Sequence, residues 1–586
     1  MEVYFELVKN GEHLKRVCEE KFSSEDCLGL DTETTGFDPH EGSLRLIQLS
    51  NSKATIVVDL IYFAENGSLK ENEMLEPLRR ILKDKEKTKF IHNAKFDTKW
   101  IQHHLGVELG GIFDTMLASQ LLHSGDQEKR HSLAEVAQFF LGLELDKSEQ
   151  KSDWSSSELT ESQLKYAATD AVVAFRLGKQ IEEKLMREAL TKTAQIEFNC
   201  ITPLSNVEMN GIYVDLTSWQ KNLNETLQKK LDLSENLKKN ISNLNSQNFL
   251  FSKNAEIDIN DQNQVRSALG ISASSKSLQK ELRTLAATNP TASMFLEYLE
   301  TEKFLSEFGE DFLKLIKPQT QRLHPDYKQI ATFSGNIRCY KPNLYQLPLE
   351  YRKCLVAPEN KKLILAFYPD LEFRAFAELS QDKDLINTLT NNVDFQIALS
   401  TKLFNLDSEQ LTEEHMLLTK RLSYAVIYGA GASYLAKLNG ISTEEAEELF
   451  RRFFALYPRL WQWLESLSQK AEQEKICRST SGRICKLKFD TEEKRKSAKR
   501  YARSFHAQAL STDIFKHCLY LLDKNLKNSS ARIIHLFQHG YLIECYADET
   551  KKISDLTKEV MKKAGEEFIN SVPIRVESRE SESWSF

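Results

Sequence analysis

The sequence predicts a mixed α/β fold in which a sheet layered with helices is followed by a longer body of helices and strands. Three observations predict it. Short β-rich runs alternate with helical patterns over residues 1–190, polar sequence with a helical period fills much of residues 192–317, and β-rich runs return after Arg322. An α/β region therefore precedes an α+β body.

The first region contains three clear strand candidates. They are LRLIQLS (44–50), ATIVVDL (54–60) and KFIHN (89–93), and helical patterns such as EMLEPLRRILKD separate them. The middle region is rich in Lys, Glu, Asn and Leu, and a Ser/Asn-rich passage at 242–253 is expected to interrupt its helices. LILAFY and IIHLFQHGYLIECYA are the strand candidates of the last region.

Composition excludes several classes of protein. With 586 residues, 41% hydrophobic and 28% charged, the chain can bury several cores, which excludes a disordered or fibrous protein. The sequence lacks the ~18 consecutive apolar residues of a membrane span and a signal-peptide pattern, so we expect a cytoplasmic protein, nucleoid-associated if bacterial. Nine scattered cysteines without a C-x-x-C pair indicate reduced, mostly buried thiols. A net charge of -7 neither indicates nor excludes nucleic-acid binding, which depends on local patches.

Acidic residues occur in three segments that could meet. In CLGLDTETTG, the period of a strand places Asp31 and Glu33 on one face. In KFIHNAKFDTKW, Asn93 is a candidate helix N-cap and Asp97 falls in the first helical turn. In LTESQLKYAATDAVV, Thr160 and Gln163 form a candidate capping box, and Tyr166 and Asp170 stand at i and i+4. Each segment alone is also typical of solvated side chains or an ordinary capped helix.

Together the segments indicate a metal site. Four converging carboxylates without Lys or Arg partners would repel one another unless divalent cations neutralise them. Oxygen ligands favour Mg²⁺ or Mn²⁺ over zinc. Two such ions about 4 Å apart can activate a water and stabilise the leaving oxygen of a phosphodiester. Tyr166 would then orient the attacking water.

These residues resemble the DEDD 3′ to 5′ exonucleases in their tyrosine-containing branch. Asp31 and Glu33 match the first motif, Asn93 and Asp97 the second, and Tyr166 and Asp170 the third. The resemblance implies a ribonuclease H-like exonuclease domain over residues 1–190, with two Mg²⁺ or Mn²⁺ ions held by the four acids. FDTMLASQLL (113–122) and LDKSEQKSDW (145–154) also resemble family segments, the latter especially ribonuclease D.

The rest of the chain resembles family A DNA polymerases. The matching segments, in order, are EFNCITPLSNVEMNGIYVD (197–215), SGNIRCYKPNLYQLP (334–348), YPDLEFRAFAELSQD (368–382), TKRLSYAVIYG (419–429) and FQHGYLIE (537–544). The resemblance implies a helical thumb-like region at 191–330 and a palm and fingers at 331–586. Because the sequence starts at the exonuclease-like part, we expect no 5′ nuclease domain.

The same comparison implies a degenerate polymerase site. The family's two metal-binding aspartates correspond to Phe367 and Gly540, and the acid beside the second corresponds to Tyr541. Neither a benzyl ring nor a hydrogen atom coordinates Mg²⁺. The triphosphate-binding arginine corresponds to Met416, and an arginine of the template-primer segment to Asn336. Strand geometry predicts that neither Asp370 nor Glu544, the nearest acids, can substitute for the lost aspartates.

A basic helical segment could still bind DNA. FDTEEKRKSAKRYARSFHAQ carries several cations interleaved with aromatic residues, and it ends where the family's helix faces template DNA. A solvated helix face paired with Glu492 and Glu493 is the alternative interpretation. The candidate DNA-binding residues are Asn93, Lys420, Tyr424, Lys496, Lys499, Arg500, Arg503 and Gln508.

The leading hypothesis is a metal-dependent 3′ to 5′ exonuclease that acts on DNA 3′ ends and carries a polymerase-derived body that binds DNA without synthesis. Three alternatives stay open at this stage. They are a ribonuclease D-like RNA exonuclease, a non-catalytic scaffold for DNA or for a replication or repair partner, and a proofreading DNA polymerase.

Overall fold

The computed structural model describes residues 2–64, 68–126, 128–248, 258–271, 278–286, 288–391 and 394–585. The chain divides into two compact units. The first comprises Met1–Asn210, Asp326–Lys341 and Ile364–Glu580, and the second comprises Gly211–Pro325, Pro342–Leu363 and Ser581–Phe586. The predicted mixed α/β fold class is confirmed. The predicted boundaries of an exonuclease, a thumb and a palm with fingers stay a prediction.

The first unit opens with a six-stranded mixed sheet. Its strands are β1 (Glu6–Val8), β2 (Cys27–Thr34), β3 (Leu44–Ser50), β4 (Thr55–Asp59), β5 (Thr88–Ile91) and β6 (Ile112–Asp114). Their order is β1-β4-β3-β2-β5-β6. Strand β3 pairs antiparallel with β2 and β4, and the other pairs are parallel. Every residue of β3 and β4 is buried, including the polar Arg45, Gln48 and Ser50 of β3.

Among the described residues, eight α-helices accompany this sheet. They are α1 (Gly11–Val17), α2 (Ile61–Ala64), α3 (Glu76–Lys83), α4 (Ala94–Leu105), α5 (Thr115–Leu122), α6 (Leu133–Leu141), α7 (Glu161–Arg187) and α8 (Thr191–Asn210). The core between sheet and helices is apolar, with Phe90, Trp100 and Ile181 fully buried. The three strand candidates of this region are confirmed within one or two residues.

The second unit is mainly helical. Its strands β7 (Ile212–Tyr213), β8 (Ile316–Lys317) and β9 (Arg322–Leu323) form an antiparallel sheet in the order β7-β9-β8. Its helices are α9 (Leu216–Asn248), α10 (Gln262–Ala268), α11 (Leu278–Leu285), α12 (Pro290–Phe308), α13 (Glu310–Leu313) and α14 (Leu349–Arg352). The expected interruption at 242–253 is wrong in its first half, because α9 continues to Asn248, and residues 249–253 lie outside the described residues.

The remaining strands and helices belong to the first unit, except that Lys361–Leu363 of β12 and Ser581 of β17 fall in the second. The strands are β10 (Asp326–Lys328), β11 (Arg338–Lys341), β12 (Lys361–Phe367), β13 (Ile476–Arg478), β14 (Ile484–Lys486), β15 (Arg532–Phe537), β16 (Gly540–Tyr546) and β17 (Glu577–Ser581). The helices are α15 (Leu371–Ser380), α16 (Lys383–Thr390), α17 (Phe395–Phe404), α18 (Glu413–Ile427), α19 (Ala432–Asn439), α20 (Thr443–Leu456), α21 (Pro458–Glu474), α22 (Glu492–Leu526) and α23 (Thr550–Glu566).

A four-stranded sheet in the order β15-β16-β12-β17 organises this part, and β15 and β16 form an antiparallel hairpin. LILAFY and IIHLFQHGYLIECYA are therefore confirmed as strands. Eight of the nine cysteines are buried, as predicted. None of the helices in the described ranges combines the length and apolar character needed to cross a membrane.

Candidate active site

Three carboxylates meet at one end of the six-stranded sheet. Asp31 and Glu33 stand two residues apart near the end of β2, and Asp170 lies on α7. One carboxylate oxygen from each lies within 4.8 Å of the others. Asp31 and Glu33 share one face of β2, and α7 places Asp170 over that face. The structure thus brings together three of the four acids that the sequence singles out.

The fourth acid, Asp97, approaches from α4. Its side chain is 2% exposed, and it accepts a hydrogen bond of 2.6 Å from the Thr32 hydroxyl. Its charge acts on Asp31 and on Glu33, although its oxygens lie outside the group of three. Thr32 therefore fixes the position of Asp97 beside the other acids. The sequence pattern did not reveal the role of Thr32, because nothing in a strand pattern shows a partner 65 positions away.

Tyr166 lies one turn before Asp170 on α7. The predicted capping box is present, since Thr160 and Gln163 bond reciprocally at the start of this helix. The Tyr166 hydroxyl forms a hydrogen bond with Asp170. Burial raises the pKa of the Tyr166 phenol well above its usual value, and the charge of Asp170 adds to this effect, so the hydroxyl keeps its proton. A neutral hydroxyl is thereby held beside the carboxylates.

A glycine on β2 allows α7 to pass this close. A Cβ atom on Gly29 would lie 2.1 Å from the main-chain oxygen of Ala171, and 2.8 Å from the main-chain nitrogen of Phe175. Ala171 is the residue after Asp170. Only a residue without a side chain fits between strand and helix at this point.

Asn93 and Asp114 together fix the start of α4. Asn93 takes the predicted N-cap position, but its backbone is left-handed with a φ of 66° and its side chain makes no capping bond. Asp114, at the end of β6, replaces it by accepting the backbone N–H of Ala94 at 2.8 Å and that of Asn93 at 3.3 Å. Asp114 also caps α5. Its position before TMLASQLL was the signal that could have revealed it.

The electrostatics of the site favour neutral acids when no cation is bound. Burial raises the pKa of Asp31 and of Glu33 well above the usual range, and mutual repulsion with the neighbouring acids raises both further. Burial also raises the pKa of Asp97 to about 7, against the hydrogen bond from Thr32. It raises that of Asp170 to about 7, against the bond from Tyr166. At neutral pH the cluster therefore binds protons or cations.

The donor set fits hard divalent cations. The closest group consists of carboxylate oxygens from Asp31, Glu33 and Asp170, and Asp97 stands beside it. Within the described residues, none of these four acids forms a salt bridge with a lysine, an arginine or a histidine. Oxygen ligands without a paired cation suit Mg²⁺ or Mn²⁺. These residues can therefore hold the ions that the sequence predicts.

The two positions at which family resemblance implies metal-binding aspartates lie together in the second sheet of the same unit. Strand β12 ends at Phe367, and the neighbouring strand β16 begins at Gly540. Tyr541 points into the protein, where its ring stacks on Phe515 at 4.7 Å between centroids and its hydroxyl donates to the Phe515 carbonyl at 2.6 Å. Tyr541 is therefore a buried packing residue.

The two nearby acids, Asp370 and Glu544, differ in their placement. Asp370 follows the end of β12 and takes the N-cap position of α15 with a φ of 54°. The argument from strand alternation is thus wrong for Asp370, because the strand ends three residues earlier. Glu544 is fully buried, and it accepts a hydrogen bond of 3.0 Å from Nε of Arg532.

Met416, Lys420 and Tyr424, which resemblance places in the family's fingers helix, lie on α18. Met416 accepts a hydrogen bond of 3.4 Å from the Ser400 hydroxyl. Lys420 is exposed, and Tyr424, further along α18, stacks on Tyr428 with 6.5 Å between centroids. Below them, Glu372 and His539 lie 2.6 Å apart, and Gln538 donates to the Tyr428 hydroxyl at 3.0 Å. Asn336 accepts a hydrogen bond from Thr512.

The candidate DNA-binding cations on α22 are largely paired with acids. Lys496 lies 3.8 Å from Glu492, and Lys499 lies 2.6 Å from Glu472. Arg503 pairs with Glu465 and donates to the Ser468 hydroxyl at 2.9 Å. Arg500 is exposed, and no ion pair joins it to any described acid. Gln508 is half-buried and donates to the Ile427 carbonyl at 3.4 Å.

Comparisons with known proteins agree with this architecture. Residues 217–586 match the family model for DNA polymerase family A, and residues 5–186 match the model for 3′-5′ exonuclease. DNA polymerase I of Aquifex aeolicus is 27% identical over 619 residues, covering 99% of each chain. DNA polymerase I of Pseudomonas aeruginosa is 24% identical, and the match covers 96% of this chain and 64% of that protein.

A solved structure shows the same fold. The POL domain of Pol1 from M. smegmatis, in complex with DNA primer-template and dNTP, superposes with a TM-score of 0.82. The two chains are 21% identical, and the match covers 99% of each. With the two family matches covering nearly the whole sequence, the chain belongs to DNA polymerase family A and carries an N-terminal 3′-5′ exonuclease domain.

Proposed function

We propose that this protein is a metal-dependent 3′ to 5′ exonuclease that shortens DNA from its 3′ end. The observation that carries the proposal is the convergence of Asp31, Glu33 and Asp170, with Asp97 and Tyr166 beside them, in the part of the chain that matches the exonuclease family. Four acids without a paired cation are costly to keep together unless they serve a bound ion.

Each residue has a defined task in this proposal. Asp31, Glu33, Asp97 and Asp170 would hold two divalent cations, Mg²⁺ or Mn²⁺. Such ions, when bound, supply Lewis-acid activation of a water and stabilise charge on the leaving oxygen. Tyr166, kept neutral and bonded to Asp170, would orient the attacking water through its hydroxyl. Asp31 interacts with all three other acids and is thus the central member of the set.

The polymerase-related body would hold DNA without synthesising it. Support for DNA binding comes from the solved relative, whose complex contains a DNA primer-template, and from exposed cations such as Arg500 on α22. Support for lost synthesis comes from Phe367 and Gly540, which stand where the family has metal-binding aspartates, and from Met416 in place of an arginine. A replication or repair protein would be a further partner for this body.

A proofreading polymerase is the second candidate function, because the relatives are named DNA polymerase I. Primer extension by the Asp31→Ala protein, in which exonuclease activity cannot mask synthesis, distinguishes the two. We expect no extension with any mixture of dNTPs.

Digestion of matched oligonucleotides tests the exonuclease proposal. With Mg²⁺ the protein should shorten 5′-labelled single-stranded DNA stepwise from the 3′ end, and EDTA should stop it. Asp97→Ala should lower the rate by about 10³-fold or more, since it removes a metal ligand, and Tyr166→Phe should cost less. Glu161→Ala, an exposed acid on the same helix as Asp170, is the control. Faster cleavage of RNA than of DNA would favour the ribonuclease D-like alternative.

A further inference from the structure

We propose that Glu208 is a positioning residue for the exonuclease site. It fixes α4, the helix that carries Asp97, and it connects that helix to the hairpin formed by β15 and β16. The inference rests on the proposed function, since it assigns Asp97 to a metal site. Glu208 lies on α8, outside the residues that match the exonuclease family.

Helix α4 is held on two opposite faces. Two residues along a helix correspond to a rotation of roughly 200°, so Lys95 and Lys99 project from the face opposite Asp97. On one side, Asp97 accepts a hydrogen bond from Thr32 on β2. On the other side, Lys95 and Lys99 both bond to Glu208. A displacement of α4 at Glu208 would therefore move Asp97 relative to β2.

The contacts of Glu208 are buried and directional. Its side chain is 3% exposed, and those of Lys95 and Lys99 are 19% and 13% exposed. Nζ of Lys99 lies 2.8 Å from one carboxylate oxygen, and Lys95 bonds to the other. Removing one partner of a buried ion pair is far more damaging than removing one at the surface. Glu208 is thus an anchor that two lysines share.

The Glu208 carboxylate also contacts Tyr327, whose own contacts lead to strand β15. The backbone N–H of Tyr327 donates to Glu208 at 2.8 Å, and Lys95 donates to the Tyr327 carbonyl at 2.5 Å. The Tyr327 hydroxyl lies 2.5 Å from Nδ1 of His535 on β15, and it accepts the backbone N–H of Leu536 at 3.3 Å.

Strand β15 forms the hairpin with β16, which begins at Gly540. A continuous set of buried polar contacts therefore joins the helix of Asp97 to the hairpin of the former polymerase centre.

Glu208→Gln tests this role because it keeps the shape of the side chain and removes its charge. Glu197→Gln is the matched control. Glu197 lies on the same helix three turns earlier and is equally buried, but it pairs with Lys516 and Arg483 instead of the lysines of α4. Both substitutions break a buried ion network, so both should lower Tm. Only Glu208→Gln should also displace Asp97.

The decisive readout is the affinity of the full-length, DNA-free protein for Mn²⁺, measured by calorimetry. We expect Glu208→Gln to weaken Mn²⁺ binding by about tenfold and to raise the Mg²⁺ concentration for half-maximal cleavage by a similar factor. Glu197→Gln should change neither value. Lys99→Met should weaken Mn²⁺ binding in the same way but to a smaller extent. It replaces Glu208→Gln in the test if that variant does not fold.

Three results would separate failure of this inference from failure of the proposed function. Unchanged Mn²⁺ affinity in Glu208→Gln or Lys99→Met, with an active wild type, would overturn the role of Glu208 alone. An equal loss of Mn²⁺ affinity in Glu197→Gln would also overturn it, because the effect would then be general destabilisation. A wild-type protein that neither binds Mn²⁺ nor cleaves DNA would overturn the metal site itself.

Discussion

A Cβ atom on Gly540 would lie 2.8 Å from the Cβ atom of Phe367 on the neighbouring strand. These are the two positions at which family resemblance implies metal-binding aspartates, and the structure places them side by side. The Phe537 ring fills the same space, because its Cζ atom would lie 2.2 Å from that Cβ atom. The space between these two positions is thus packed with aromatic carbon.

This packing predicts that aspartates cannot simply be restored. Gly540→Asp should lower Tm, since the new side chain collides with the Phe537 ring, at a cost of about 1–3 kcal/mol. Adding Phe537→Ala should recover part of that loss by opening space. Thermal unfolding of the single and double variants checks the prediction. An unchanged Tm in Gly540→Asp would contradict the close packing.

Gly29 gives a second steric prediction, this time in the exonuclease site. Gly29→Ala should displace α7 and with it Asp170 and Tyr166, because the new methyl group would lie 2.1 Å from the Ala171 carbonyl oxygen. We expect at least a tenfold loss of cleavage rate together with a lower Tm. Gly36→Ala is the matched control, since no atom lies within 4 Å of its Cβ position. Equal rates for the two variants would contradict the assigned role of Gly29.

The acidic cluster predicts how metal and pH act together on stability. Asp97 and Asp170 have pKa values raised to about 7 by burial, above those of the unfolded chain. Their contribution to stability is present at low pH and is lost as pH rises through about 7. In EDTA, Tm should therefore fall between about pH 5.5 and about pH 8, and Mg²⁺ should raise it more at the higher pH.

Asp170→Asn should flatten this fall, because a neutral amide does not titrate. Melting curves of both proteins, with Mg²⁺ and with EDTA, provide the measurement. If Mg²⁺ raises Tm equally at both pH values, the acids are not the cation ligands.

Arg500 allows a test of DNA binding by the body. Each phosphate neutralised steepens the dependence of log K on log salt by about 0.7 for single strands and about 0.9 for duplex DNA. Arg500→Ala in the Asp31→Ala background should reduce the slope by about this amount. Lys494→Ala removes the same charge from the same helix, but Lys494 lies 2.6 Å from Asp490, so its slope should change less. Equal slopes for both variants would argue against contact through Arg500.

Local patterns predicted much of the fold and of the site. The alternation in β2 predicted that Asp31 and Glu33 share a face, and the capping box at Thr160 predicted the start of α7. Asp31, Glu33 and Asp170 could be singled out because each falls in a segment whose periodicity defines its face. Family resemblance then related segments that lie far apart in the chain.

The rest depends on contacts between distant residues. The bond from Thr32 to Asp97 and the pairs of Glu208 with Lys95 and Lys99 join positions 65 to 113 residues apart, and no local pattern encodes them. The left-handed backbone at Asn93 was missed for the same reason, because Asp114 from another strand takes over the capping. The acidic partners of Lys499 and Arg503 follow from the packing of α21 against α22.

One assay tests the central claim that this family member degrades DNA 3′ ends and no longer synthesises DNA. A 5′-labelled primer-template is incubated with Mg²⁺ and all four dNTPs, with wild-type protein and with Asp31→Ala. We predict stepwise shortening of the primer by the wild type, and neither shortening nor extension by the variant. Extension of the primer by Asp31→Ala would contradict the loss of synthesis, and shortening at the wild-type rate by the same variant would contradict the assigned exonuclease site.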